Sequence, residues 1–335
     1  MKKISEYPNN SVVSAAELLE LNKPDLGVKN VKEFSGYSFW QYTSVESIEK
    51  ILGGNCFWLN SISEMNDKHE AELHADMQKD IFVQSFCNSD NEKIPLWYLY
   101  GGIAGKGASI GFTPRVMLDY INSIKYAREL IKDKDGNYVE GDKLFIGKQL
   151  ELQVGWVFYV NYELPVQPWT KSSNTVRVNY FNKFWIVKDA EQFFANNYFI
   201  KDLPWEYEKE FRLVFINKTD KRIEKIKIEI PEILRNNDKK TVKVKLAPEI
   251  SNSVVKESDG DEFKNCSDRL DEMAKKNRYQ LNVSKSELKI NMNLLERSKD
   301  YINDYILSHP EFIPEETAKK VEEHYQSVRD AKKNT

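Results

Sequence analysis

The 335-residue chain is 41% hydrophobic, enough for one large domain or two modest ones. Its 49 basic and 52 acidic residues leave a net charge of −3, which excludes coating a polyanion through bulk charge but leaves room for a local basic patch. Three widely spaced cysteines (Cys56, Cys87, Cys266) exclude a disulfide scaffold or zinc ribbon and suit a reducing cytosol. The start carries no apolar leader, and no run reaches the roughly 18 apolar residues of a membrane span, so a cytoplasmic protein with no membrane partner is expected.

Residues 1–35 read as an N-terminal extension with a helical patch at SAAELLEL. SFWQYT reads as a strand. TSVESIEKIL reads as a helix opened by a capping box from Thr43 to Glu46, with Val45, Ile48 and Leu52 as its apolar face and Gly53-Gly54 as a left-handed end. CFWLNS is a strand, NDKHEAELHADMQKD a helix, IFVQSFC a strand and IPLWYLY a short helix. GASIGF is a strand, followed by a helix begun at Thr113-Pro114, where proline suits the first turn.

KDKDGNYVEG reads as a loop, QVGWVFYVNYE as a strand, and VRVNYFNKFWIVKDAEQFFANN as a helix. IEKIKIEI and KTVKVKLAP alternate as strands; the helix DEFKNCSDRLDEMAKK and the strand YQLNVSKSEL close the core. From about residue 293 the pattern turns helical and polar, broken by Pro310 and Pro314. Helices and short strands without a strict βαβ rhythm place 36–292 in one α+β domain, with 293–335 as a helical C-terminal appendage.

Several motifs fail on geometry. In HEAELH, His69 and His74 lie five residues apart, about 140° around a helix, and do not converge on one metal. GGIAGKG lacks phosphate-loop spacing and leads into a strand, so it reads as a glycine turn. No Ser/His/Asp set stands out among four histidines. The alternating lysines of IEKIKIEI and KTVKVKL read first as a solvated strand face.

WEYEKEFRLVF, residues 205–215, asks the main question. As one strand it gathers Glu206, Glu208, Glu210 and Arg212 on one face. Asp202-Leu203-Pro204 is also a respectable helix start, so WEYE could be one helical turn before the strand. Either way Glu208 and Glu210 meet at the entry to FRLVF, where clustered carboxylates raise one pKa unless a cation intervenes. The choice is between a salt-bridge stripe on a solvated edge strand and the floor of a site.

The segment order resembles bacterial domain-of-unknown-function family 2971 over about residues 37–292. The likeness runs through Trp40-Gln41-Tyr42, Trp58-Leu59-Asn60-Ser61, the Asn66-Asp67 turn, Leu96-Trp97 to Tyr100, and Gly107 to Phe112. It continues through Lys201 and Trp205 to Arg212, Leu246-Ala247-Pro248, and Lys285-Ser286. That order is similar to the ADP-ribosyltransferases, which carry an Arg or His strand, a serine-motif strand and a late Glu-x-Glu.

The likeness puts Gln41 at the Arg/His position, Ser61 and Ser63 in the serine motif, and Glu208-Lys209-Glu210 at Glu-x-Glu. It implies a mostly antiparallel mixed sheet with flanking helices and NAD as substrate. Glu210 and Glu208 would be catalytic. Gln41, Tyr42, Thr43, Ser61, Asn66, Trp97 and Arg212 would contact NAD, with no metal. Tyr42 or Trp97 would supply the aromatic wall. The acceptor would be a macromolecule (RNA, DNA or protein), the context a toxin or phage-defence effector, and a partner an antitoxin-type protein. The alternatives are a non-catalytic nucleotide- or partner-binding module and a carboxylate enzyme such as a metal-dependent nuclease. The transferase reading requires Trp40–Thr43, Trp58–Ser63 and Glu208–Arg212 to converge on one cleft.

Overall fold

The computed structural model describes residues 6–27, 34–62, 81–101, 107–160, 175–195, 197–235, 241–248 and 262–288. Strand β1 (Ser11–Ser14) and helix α1 (Ala15–Asn22) come first, then β2 (Phe39–Ser44), α2 (Val45–Gly54) and β3 (Cys56–Asn60). Next are β4 (Ile81–Asn88), α3 (Ile94–Tyr100), β5 (Gly107–Phe112) and α4 (Pro114–Ser123). Six strands follow: β6 (Tyr126–Lys132), β7 (Tyr138–Phe145), β8 (Leu150–Trp156), β9 (Phe158–Val160), β10 (Thr175–Tyr180) and β11 (Lys183–Lys188). Helix α5 (Ala190–Ala195), β12 (Ile200–Asp202) and a 3₁₀ turn (Leu203–Glu208) lead to β13 (Glu210–Asn217) and β14 (Lys225–Glu229). The last elements are α6 (Glu232–Arg235), β15 (Thr241–Leu246), α7 (Glu262–Lys276) and β16 (Gln280–Lys285).

The strands form three sheets. A seven-stranded sheet is ordered β16-β15-β5-β2-β4-β13-β8, a five-stranded one β1-β11-β10-β9-β12, and a four-stranded one β3-β14-β6-β7. Among the described strands only β1 with β11, β9 with β12 and β15 with β16 pair in parallel. This is a mixed α/β architecture of sheets and several helices.

Alternation along β13 explains how the layers stack. Phe211, Leu213 and Phe215 point into the larger core with Phe39, Phe86, Ile110 and Val244. The other face starts with Glu210 and Arg212 and ends with Val214 and Ile216, which enter a second core with Trp185, Phe158 and Phe193. One strand thus carries a polar site at its start and a two-sided apolar seam at its end.

Several expectations shift. The cap of α2 is Ser44, whose Oγ accepts from Ser47 N at 3.1 Å, one residue after the expected Thr43. The helix runs through Gly53-Gly54, and the left-handed residue is Asn55 (φ 51°). Helix α4 starts as read, with Thr113 Oγ1 accepting from Val116 N.

The stretch read as a helix over VRVNYFNKFWIV is the β10–β11 hairpin. Phe181 and Asn182 (φ 52° and 57°) form a two-residue turn of the primed type, whose twist matches its strands. Only Ala190–Ala195 is helical. Within the expected loop KDKDGNYVEG, Asp133 Oδ1 accepts from Asp135 N and Asn137 N to make a tight turn, and Tyr138 already begins β7.

Part of the segment read as an extension belongs to the fold: β1 pairs with β11, and Ala15 and Leu18 are buried in the second core. The helix expected over NDKHEAELHADMQKD, with Asn66, His69 and His74, lies outside the described residues. So do Ser63, residues 102–106 of GGIAGKG, and the expected tail over 293–335. All three cysteines are free and buried. Among the described residues, no helix is long and apolar enough to cross a membrane.

Candidate functional site

The question raised by WEYEKEFRLVF resolves into a turn followed by a strand. Asp202 Oδ1 accepts from Leu203 N at 2.8 Å and Pro204 occupies the first turn, so Leu203–Glu208 winds as a 3₁₀ turn. Lys209 ends it in left-handed backbone (φ 47°), and the strand starts at Glu210. This strand is no edge. Strand β13 lies between β4 and β8, and all eight of its residues are buried. The solvated-stripe reading therefore falls.

Four charged side chains pack together here almost without water: Lys201, Glu208 and Glu210 are 3–4% exposed and Arg212 is 0% exposed. Arg212 grips Glu210 with two bonds, Nε to Oε1 at 2.6 Å and Nη2 to Oε2 at 2.9 Å, the fork geometry that best compensates a buried carboxylate. Arg212 Nη1 also donates to the Tyr198 carbonyl at 3.1 Å. Lys201, delivered by β12, lies 2.6 Å from Glu208 Oε2 and 3.5 Å from Glu210 Oε2, and its ammonium sits 4.6 Å from the centre of the Trp205 ring. Tyr100 donates to Glu208 Oε1 at 3.0 Å. Tyr159 accepts the Glu210 backbone N–H at 2.8 Å.

The two carboxyls are driven apart electrostatically. Burial raises the Glu208 pKa against the pull of Lys201, and the neighbouring Glu210 raises it further. Burial acts the same way on Glu210, but the charges of Arg212 and Lys201 outweigh it and hold the group down at about 2. Burial also pushes the phenols of Tyr100 and Tyr159 up, which keeps their protons on. One carboxyl is thus held as an anion, and its neighbour takes up a proton more readily. Environments that split two carboxyls this way are the usual means of assigning them separate roles.

A cleft of about 460 Å³ opens over this quartet. Strands β2 and β4 pair only at Phe39 with Asn88 and Trp40 with Cys87; beyond that β2 follows β5 and β4 follows β13. Ser61, just past β3, bridges to Phe82 at the mouth of this divergence. Gln41, Tyr42, Ser61, Glu208 and Glu210 all line the one cleft, together with Trp40, Tyr100 and Lys201. Three segments far apart in sequence, around Gln41, Ser61 and Glu208–Glu210, meet there. Gln41 Oε1 receives Gln84 Nε2 at 3.4 Å, and Gln84 Oε1 accepts from Tyr120 at 2.9 Å.

The other candidates sit differently. Thr43 does not line the cleft. Arg212 lies beneath the lining, acting through Glu210. Trp97 is buried behind Tyr42 in an edge contact (ring centres 4.6 Å apart), and its indole N–H donates to Glu92. Of the two aromatics expected on the wall, Tyr42 therefore lines the cleft and Trp97 supports it. Asn66 lies outside the described residues. Lys201 and Tyr100 were missed as site residues, whereas Trp40, expected at the cleft within Trp40–Thr43, lines it. Lys201 stands seven residues before Glu208, too far for a local pattern to link them, and only the pairing of β12 with β9 brings it in. Trp40 lies flat over Gly111, where a Cβ would come within 2.5 Å of its ring carbons; only glycine leaves room for that wall.

No family model, curated protein or solved structure matches this chain.

Proposed function

We propose that the cleft is an ADP-ribosyltransferase-type site that takes NAD as substrate and passes ADP-ribose to a macromolecular acceptor (RNA, DNA or protein). The observation that carries this reading is the pair Glu208 and Glu210, split in pKa and lining one cleft with Gln41, Tyr42 and Ser61. The lining fits the nicotinamide–ribose half of the substrate: an aromatic wall, hydroxyl and amide groups, and a fixed anion. Lys201 is the cation on the described lining and is already engaged by both glutamates, so the fit concerns that half.

In this reading the bond from ribose C1′ to nicotinamide breaks and its electron pair leaves with the nicotinamide. A nucleophile of the acceptor bonds to C1′ and gives its proton to Glu208, whose raised pKa suits a base. Positive charge that builds on the ribose, as in glycoside hydrolysis, is stabilised by the Glu210 anion held in place by Arg212. A toxin or defence effector, acting in the cytoplasm and neutralised by an antitoxin-type protein, is the setting such an activity suits.

The test is labelled NAD incubated with the full-length protein and cell extract. Wild type should transfer label, and Glu210→Gln should lose about 10²-fold or more of NAD turnover while still unfolding cooperatively. Full turnover in Glu210→Gln would sink the proposal. A second reading draws on the same ion pairs: carboxylates this fully compensated also suit a non-catalytic binding module. No NAD consumption by folded wild type would favour that module.

A further inference from the structure

A second cavity, of about 280 Å³, shares Glu210 with the cleft and is bounded by Glu206 and Lys209 of the same segment. Aromatic rings form part of its otherwise polar wall. Tyr37 and Phe181 are 56% and 45% exposed, large rings left open to solvent where most of the described aromatics are buried. Phe181 sits in the positive-φ turn of the β10–β11 hairpin, fixed by edge contacts to Trp156 and Tyr180 with ring centres 5.2 and 4.7 Å away. A rigidly held, exposed ring is a stacking surface without a stack.

The polar groups of this cavity have free capacity. Asn179 lines it and is only 7% exposed, yet its side-chain amide has no hydrogen-bond partner among the described residues. Trp156 Nε1, on the same lining, is a buried N–H with no hydrogen-bond partner among the described residues, a state whose cost a ligand's polar edge would relieve. Lys93 also lines the cavity, and its ammonium makes no ion pair among the described residues. Lys209 beside it is by contrast held by Asn182 and Glu206. Asn179 is opposite Tyr159 in the β9–β10 pairing, and Tyr159 bonds to Glu210 N, so this cavity is tied to the Glu206–Glu210 segment by a direct contact.

We propose that this cavity is a second binding site, for a nucleotide unit: a heteroaromatic base bearing a phosphate. Exposed rings stack on the base, the Asn179 amide offers both a donor and an acceptor to a base edge, and Lys93 meets the phosphate. Each feature alone suits many ligands; a flat face, a two-way polar edge and an anion together select this class. The proposal does not rest on NAD turnover, and its test involves none.

Adenosine 5′-monophosphate, adenosine, inorganic phosphate and a hexa-adenylate strand are titrated into the full-length protein, followed by calorimetry. Saturable binding of the monophosphate, weaker for adenosine and weaker still for phosphate, is the expected order. A tighter hexa-adenylate would identify the source as a strand, an equal or weaker one as a free nucleotide. Asn179→Ala and Lys93→Ala should each weaken the monophosphate about tenfold or more, while Gln41→Ala, in the first cleft, leaves it unchanged. Lys93 is on the rim, so its variant tests the site even if Asn179→Ala disturbs the hairpin. No saturable binding, phosphate binding as tightly as the monophosphate, or loss in Gln41→Ala with retention in Lys93→Ala would each overturn the proposal.

Discussion

Strands β13 and β14 carry much the same alternation of charged and apolar residues, and the fold uses them in opposite ways. Both are interior strands of their sheets, and both send one apolar face into the larger core: Phe211 and Leu213 from β13, Ile226 and Ile228 from β14. On β14 the opposite face carries Lys225, Lys227 and Glu229; Glu229 pairs with Arg128 and Lys227 with Glu140, partly exposed, with Arg128 26% and Glu229 43% exposed. On β13 the corresponding face carries Glu210 and Arg212, both within 4% of complete burial. The difference is a covering layer. β12 and the Leu203–Glu208 turn lie over β13, bringing Lys201 and Glu208. Alternation assigns a residue to a face, and only the next layer decides whether that face is surface or site.

The largest expected effect that tests this contrast is Arg212→Ala. It strips Glu210 of its fork in a dry site and should cost about 3–5 kcal/mol, read as a drop in the denaturant midpoint. Arg212→Lys should recover part of the loss by restoring the charge without the fork. A cost no greater than that of the exposed ladder would break the comparison.

A second test uses pH. Glu210 is depressed from 4.5 to about 2, so its contribution to stability is present above pH 4.5 and is lost as pH falls toward 2, on the order of 3 kcal/mol. Glu208 is raised, so its contribution is present below pH 4.5 and is lost as pH rises through its folded value. Unfolding midpoints from pH 2.5 to 8 should therefore show a flatter acid limb in Glu210→Gln. In Glu208→Gln, stability should improve relative to wild type toward higher pH. Identical slopes in all three proteins would show that the pair is not split.

The smallest effect belongs to Arg128→Ala on the ladder, where about 0–1 kcal/mol is expected, fading further in high salt. A loss of several kcal/mol there would erase the distinction between the two faces.

Much of this organisation was legible in the sequence. Strand β2, helix α2 with its buried Val45, Ile48 and Leu52, and the Thr113-Pro114 start of α4 follow from periodicity and capping chemistry. The β10–β11 hairpin was hidden because its turn is Phe181-Asn182, without the glycine that usually marks two positive-φ positions. At the site, Glu208, Glu210 and Arg212 were visible as a local cluster. Lys201 and Tyr100 were not, because their contacts to Glu208 depend on strand pairing and helix placement across long stretches of chain. The burial of the quartet was equally hidden, since the covering layer is a tertiary fact.

The seat of β1 at the edge of the five-stranded sheet bears on how the protein is made. Ser11 lies opposite Trp185 in a parallel pairing, so the first of the described strands has its sheet partner roughly 170 residues downstream. At about 5–20 residues per second, synthesis leaves that strand unpaired for on the order of 10–30 s. During that interval Ala15 and Leu18 of α1 lack their second-core neighbours Trp185 and Val187. Closing so long a loop is slow, so the second core completes late, only after the stretch from Phe158 to Ile216 has emerged, instead of growing outward from the N-terminal segment.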